Sequence, residues 1–331
     1  RALDSFVGRE TVRSMEDRYK GPGKAIAAVN GDFFNVRTGE SENNVIIEGQ
    51  LSKGVSVSDS PYDTFNTIHS QFGIDWKNHP YIDRFGAVAR LVQGARSTGL
   101  NGVNFWPPDS SALVLYTTSL GDSSPPDTLG RHAALLPLRL IAQRSDTLIY
   151  RVAGNVHKGG RSALARGGVL AARGNRVSEL MSIAMRAGSI RVITSIVPRR
   201  GRLRTVVGGW PRIVLNGRNV AAQADIVEGT FPKFSATRHP RTAVGFSRDS
   251  STLYLVTVDG RRESESGMSL VEMGNAMLQI GAYDAMNFDG GGSTTMVVDG
   301  RVVNRPSDQA GERAVGSALL VVVDSASARR H

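Results

Sequence analysis

The residues best equipped for chemistry in this 331-residue sequence lie between Ala282 and Asp299, AYDAMNFDGGGSTTMVVD. Asp289 supplies a carboxylate, Asn287 two positions earlier shares its side of an extended chain, and Ser293, Thr294 and Thr295 add hydroxyls. Between them stand Gly290, Gly291 and Gly292. Three consecutive glycines cost backbone entropy, so they are expected where a turn needs positive φ or where backbone must come close to a ligand. An apolar run on each side predicts strand, polar hairpin-like loop, strand.

Val29-Asn30-Gly31-Asp32 repeats the pattern of Met286-Asn287-Phe288-Asp289: an apolar strand end, Asn, a spacer, Asp. Two strands ending in the same pair can meet at one sheet edge and offer a sugar or a cation donors and acceptors together. Asn-Gly-Asp is also an ordinary turn. A third strand, Thr252 to Val258, ends at Asp259-Gly260. Arg241 opens another apolar stretch, and its planar fork of donors matches two anionic oxygens at once. His239 is held extended by Pro240, and no second His stands at metal-ligand spacing. Glu272 follows Ser269 by three, as in a capping box, and the same position in a first helical turn suits a general acid or base. The two uses are compatible.

The elements that must position these groups read as follows. Ala112 to Thr118, Leu136 to Ala142, Leu148 to Val152, Gly168 to Ala172, Ile190 to Val197 and Ile213 to Leu215 are short runs rich in Val, Ile and Leu between turn residues, hence strands. Val177 to Ala187 and Ser269 to Gly281 have helical spacing. No period of roughly 20 to 50 residues repeats. The expected fold is α+β: one β-rich domain with a mixed-sheet core, helices packed on it, and the site at strand ends. Residues 1–24 read as an N-terminal segment, 25–324 as the domain with a β-rich scaffold over 75–237, and 325–331 as a tail.

With 40 Lys and Arg against 30 Asp and Glu, the net charge of +10 favours anionic partners. Arg199, Arg200, Arg202 and Arg204 cluster, but there is no nucleic-acid-binding module, so the cluster reads as a solvated basic face. The sequence has no cysteine, which excludes disulfides, thiolate-held metals and a thiol nucleophile. No apolar run approaches membrane-helix length. The first residue is Arg1, so a signal peptide is expected to have been removed.

Ala28 to Phe34, Pro240 to Gly245, Val258 to Arg261, Gly267 to Leu270, Met286 to Thr295 and Val303 to Ser307 together, and in this order, resemble the phosphodiester glycosidase family. The resemblance runs from about Ala25 to Asp324. It implies hydrolysis of the α-glycosidic bond between a sugar, typically N-acetylglucosamine, and a phosphodiester. For a bacterial-type member it also implies a secreted or periplasmic location and an anionic glycan or exopolysaccharide substrate. By the same resemblance Asn30, Asp32, Arg241, Asp259, Glu272, Asn287, Asp289 and the Gly290 to Thr295 loop line the site, with His239 beside it. Cleavage passes through an oxocarbenium-like state, and a phosphate leaving group already stable as an anion needs cations more than a strong acid. Asp289 is then the candidate nucleophile or base, Glu272 the acid or second carboxylate, and Asp32 with Asp259 the holders of sugar hydroxyls. Asp32, Asp259 and Asp289 are also the candidates for binding calcium or magnesium, although no EF-hand-like loop demands it. Two other activities use the same residues: metal-assisted cleavage of the P–O bond, and non-catalytic binding of an exopolysaccharide.

Overall fold

The computed structural model describes residues 7–55, 68–107, 109–125, 134–144 and 146–323; the tail expected over 325–331 lies outside them. The chain is predominantly β and gathers into two compact units. One comprises Arg1–Asn43, Val57–Arg84 and Val206–His331, the other Asn44–Ser56 and Phe85–Thr205.

The first unit contains two antiparallel sheets. One has the order Arg301–Val302, Met296–Val298, Lys24–Asn30, Ala318–Val323. The other has the order Arg218–Asn219, Arg212–Leu215, Asp284–Asn287, Arg241–Phe246, Leu253–Val258. Period-two alternation explains the layering. Val29, Val244 and Met286 belong to one apolar cluster with Phe288, Phe72 and Leu319. Their neighbours Ala243 and Ala285 point to another, formed with Leu270, Met273 and Met277 of the Leu270–Gln279 helix. Ala28 and Val297 face a third with Val12 and Met15 of the short Val12–Asp17 helix. The strands Lys24–Asn30, Arg241–Phe246, Asp284–Asn287 and Met296–Val298 are thus apolar on both faces, so their ends are the places left for polar groups.

Local signals behave as their chemistry dictates. Ser269 caps the Leu270–Gln279 helix with both halves of the capping box formed. Asn216-Gly217 and Asp299-Gly300 both have positive φ at each residue, as tight hairpin turns of the right twist require. The Gly290–Gly292 loop differs from expectation. It does not close a hairpin, because Asp284–Asn287 and Met296–Val298 belong to different sheets. Asn287 pairs with Ala243 in one sheet, and Met296 pairs with Val29 in the other. A hairpin and a crossing between sheets need the same turn chemistry, so the glycines alone cannot distinguish them.

The second unit is built on an eight-stranded sheet, ordered Arg96–Leu100, Gly86–Gln93, Ile190–Val197, Thr147–Val152, Ala134–Arg144, Gly167–Arg173, Ala112–Thr117, Gly102–Val103. Its pairs are antiparallel except the last, which is parallel and makes the sheet mixed. The helix Arg176–Met185 sets Leu180 and Ile183 into the core of that sheet. Among the described residues no helix is long and apolar enough to cross a membrane.

Met286 is fully buried in the first unit's apolar cluster. Met286→Ala is expected to lower unfolding free energy by about 2–5 kcal/mol in a denaturant titration. A loss under about 1 kcal/mol would show that the cluster is not packed as described.

Candidate active site

The two Asn-x-Asp turns meet. Asp289 N–H donates to Gly31 O at 3.0 Å, and Asn30, 1% exposed, does the rest. Its Nδ2 donates to Asp289 O at 2.6 Å. Its Oδ1 accepts from Thr242 Oγ1 at 2.7 Å and from Thr295 N–H at 3.1 Å. One amide therefore ties both sheets and the glycine loop together. Asn287 anchors the far side, with Nδ2 donating to Trp210 O at 2.8 Å and Phe288 O at 2.6 Å.

The glycine loop is a 3-10 turn over Gly291–Ser293. Gly291 has φ +59°, and its N–H donates to Pro240 O at 2.9 Å. A Cβ there would stand 2.8 Å from Nη2 of Arg261, whose own backbone is left-handed at φ 62°. At Gly292 a Cβ would fall 2.0 Å from Nη2 of Arg313 and 2.1 Å from Oδ1 of Asp308. Arg313 is paired with Asp308 through two bonds of 2.7 and 2.9 Å, and its Nη1 reaches Ser293 Oγ at 3.5 Å. Glycine at both places lets a guanidinium lie against the loop backbone, where any side chain would displace it.

Asp289 sits in this cationic frame. Burial pushes its carboxyl up to about 6, and the negative charge of Glu42 adds to the rise. The Ser293 hydroxyl, the Gly290 N–H at 2.8 Å and the charge of Arg313 pull the other way and lose to burial. Glu272 shows the opposite balance. Both its oxygens are 3.0 Å from Nε of Arg238, a second contact runs to Arg238 Nη2, and Ser269 N–H donates to it at 2.9 Å. Arg238 above all, with that N–H, holds Glu272 down at about 2. Glu272 is thus held ionised at neutral pH as capping-box partner and ion-pair partner.

The other residues singled out from the sequence divide in the same manner. Asp32, 2% exposed, accepts from Asn43 N–H at 2.9 Å and Asn43 Nδ2 at 2.8 Å. Asp259 accepts from Asn304 Nδ2 at 3.1 Å and Arg305 N–H at 3.0 Å, which fastens the loop that also bonds Thr294 O. Arg241, 1% exposed, gives Nε to Met268 O at 3.0 Å and Nη2 to Phe234 O at 2.6 Å and Thr237 O at 3.1 Å, with its guanidinium over the Phe234 ring. Burial, helped by Arg261, lowers it to about 10, so it remains a cation spent on backbone carbonyls. Burial and then the charges of Arg241, Arg261 and Lys233 lower His239, whose Nδ1 is buried and has no partner among the described residues. The same holds for Asn287 Oδ1, Thr294 Oγ1 and Thr295 Oγ1, a concentration of unsatisfied polar atoms that points to a polar occupant of this corner. Among the described residues no three His, Cys, Asp or Glu side chains gather as a metal-binding group, so Asp32, Asp259 and Asp289 are not brought together as ligands.

The structure adds groups the sequence did not mark: Glu42, Arg261 and Arg313, and an aromatic cluster. Trp210 stacks on Phe234 with ring centroids 4.8 Å apart, and Phe33 meets both rings edge-on at 5.9 and 6.0 Å. Arg261 lies inside one of the quoted motifs, whereas Glu42 stands in a polar loop that no periodicity distinguishes.

A consequence follows for stability. The folded chain holds the Asp289 proton up to about pH 6, the unfolded chain only to its ordinary 3.8. Stability is therefore withdrawn as pH rises from about 4 to 6, since the folded state binds more protons over that interval. Asp289→Asn escapes this penalty, and its stability relative to the parent is expected to rise over the same interval by on the order of 1–3 kcal/mol. Thermal or denaturant unfolding at pH 4, 5, 6 and 7 measures it, and a difference constant in pH would contradict the burial of this carboxyl.

A family model described as phosphodiester glycosidase matches residues 146–322. Mouse N-acetylglucosamine-1-phosphodiester alpha-N-acetylglucosaminidase is 34% identical over 110 residues, covering 31% of this chain and 21% of the mouse protein. An uncharacterized SPbeta prophage-derived protein of Bacillus subtilis is 40% identical over 84 residues, 25% of this chain and 13% of that protein. This chain therefore aligns with about a fifth or less of the curated relatives' own length. The crystal structure of a Synechocystis protein superposes with a TM-score of 0.71 at 18% identity over 95% of this chain and 54% of that one, a likeness of fold. With the family match spanning more than half of its residues, the chain belongs to the phosphodiester glycosidase family.

Proposed function

We propose that the protein hydrolyses the α-glycosidic bond of a sugar-1-phosphodiester, of the N-acetylglucosamine-1-phosphodiester kind or within a phosphorylated exopolysaccharide, outside the cytoplasm. The observation that carries the reading is the Asp289 carboxyl, pushed up to about 6, at the start of a loop whose Gly291 and Gly292 leave room for Arg261 and Arg313. A group of that pKa is ionised at neutral pH yet basic enough to take a proton in the transition state. The mouse relative, named for this reaction, supports the substrate class.

Water attacks C1 of the sugar, its proton passes to Asp289, and the C1–O bond breaks with its electron pair going to the phosphate oxygen. The departing phosphomonoester is a stable anion, so no strong acid is required, which suits a Glu272 that carries no proton. Positive charge developing at C1 and the ring oxygen is opposed by the carboxylates of Asp289 and Glu42. Negative charge on the phosphate is met by Arg261, which lies against Gly291, while Arg313 beside Gly292 shares its charge with Asp308. Asp32, Asp259 and Arg241 position the loops, through Asn43, Asn304 and the carbonyls of Met268, Phe234 and Thr237. The Phe33, Trp210 and Phe234 rings offer an apolar wall for a sugar face.

With methyl mannoside 6-(N-acetylglucosamine α-1-phosphate) as substrate, free N-acetylglucosamine is the expected product. The kcat/KM is expected to rise with pH through an apparent pKa near 6, the value held by Asp289, and to fall about 10³-fold in Asp289→Asn. A profile flat from pH 5 to 8, or full activity in Asp289→Asn, would contradict the assignment. Glu272→Gln separates cap from acid. It is expected to keep kcat/KM within about tenfold and to lose no more than about 1 kcal/mol of stability, because Gln still completes the capping box and only the exposed pair with Arg238 is lost. A loss of activity as large as that in Asp289→Asn would restore Glu272 to the chemistry.

A further inference from the structure

The second unit carries a groove of about 590 Å³ between the Arg176–Met185 helix and the Gly86–Gln93/Arg96–Leu100 hairpin. That volume is within the range of small-ligand sites. Its lining is neither apolar nor indifferent in charge. Arg96 and Arg186 border it, and neither has an acidic partner among the described residues. The one carboxylate on the groove, Glu179, is neutralised by Arg176, whose Nε lies 2.6 Å from it. Ser97, Thr98 and Ser182 add hydroxyls that donate and accept.

Gln93 is the second, independent observation. It lines the groove yet is only 3% exposed. Its Nε2 donates to Ile183 O at 3.3 Å and Arg186 O at 3.2 Å, the last carbonyls of the helix. Turning the amide over would lose both bonds, so the orientation is fixed. Oε1 is left buried with no donor among the described residues. Such an acceptor costs free energy unless something supplies a hydroxyl or N–H.

We propose that this groove is a second saccharide-binding site, for sugar units that carry a carboxylate or a phosphate. Two unpaired guanidinium forks select the anion. The hydroxyls and the orphaned amide oxygen select a ligand rich in hydroxyl groups. No aromatic ring lines the groove, so it lacks the stacking platform that single-stranded nucleic acid uses. A site of this kind lets the protein hold an anionic glycan by a unit other than the one it cleaves. Binding is measured without turnover, so the proposal stands or falls separately from the glycosidase reading.

The test is calorimetric titration of the full chain with three probes: a hyaluronan tetrasaccharide for carboxylate, N-acetylglucosamine 6-phosphate for phosphate, and neutral chitotetraose. At least one acidic probe is expected to bind, with chitotetraose weaker by at least about tenfold. Affinity is expected to fall at least about tenfold in Arg96→Gln/Arg186→Gln and in Ser182→Trp, which fills the groove. It is expected to persist in Asp289→Asn, while both groove variants hydrolyse a soluble phosphodiester at the parent rate. The two acidic probes decide which anion is preferred. The proposal is overturned if neither acidic probe binds by about 10 mM, if chitotetraose binds as tightly, if the groove variants bind unchanged, or if binding disappears in Asp289→Asn.

Discussion

One buried amide holds the first unit's site together. Asn30 lies at the end of a strand in one sheet, accepts from Thr242 in the other, accepts from the backbone of Thr295 and donates to that of Asp289. Three of its four hydrogen-bonding positions are thereby fixed, in a place from which water is excluded. In such surroundings a lost partner costs more than in water, so the geometry is specified tightly. The crossing of the glycine loop between sheets depends on that knot, as does the placement of Asp289 two residues beyond its own strand.

Electrostatic consequences follow from position and not from residue type. Asp289 and Glu272 carry the same functional group, and the fold separates them by about four units, one near 6 and one near 2. Burial decides the first, a bidentate guanidinium the second. Arginines divide likewise. Arg241 is enclosed and committed to carbonyls, whereas Arg261 and Arg313 are brought against a loop whose glycines leave them room. Under the proposed function Arg261 is a cation already in place for the phosphate, with no reorganisation needed.

Much of this is legible in the residues themselves. The capping box at Ser269, the two Asx-Gly turns and the strands of the second unit are local patterns, and local physics sets them. The pairing of the Asn30 and Asn287 turns is visible as a repeated motif. What the sequence could not convey is long-range partnership. Three glycines suit a hairpin and a sheet crossing equally, and an arginine's fork fits a carbonyl trio as readily as a phosphate. Glu42 was beyond reach for the same reason: it acts on Asp289 through space, from a loop with no periodic signal of its own.

If Asp289 serves water at carbon, the bond broken is C–O. Hydrolysis of the sugar-1-phosphodiester in H₂¹⁸O locates the bond directly. The label is expected in the hemiacetal oxygen of the released sugar, trapped by rapid reduction before exchange, with an unlabelled phosphomonoester. Label in the phosphate, with sugar 1-phosphate as product, would mean attack at phosphorus and would contradict C–O cleavage.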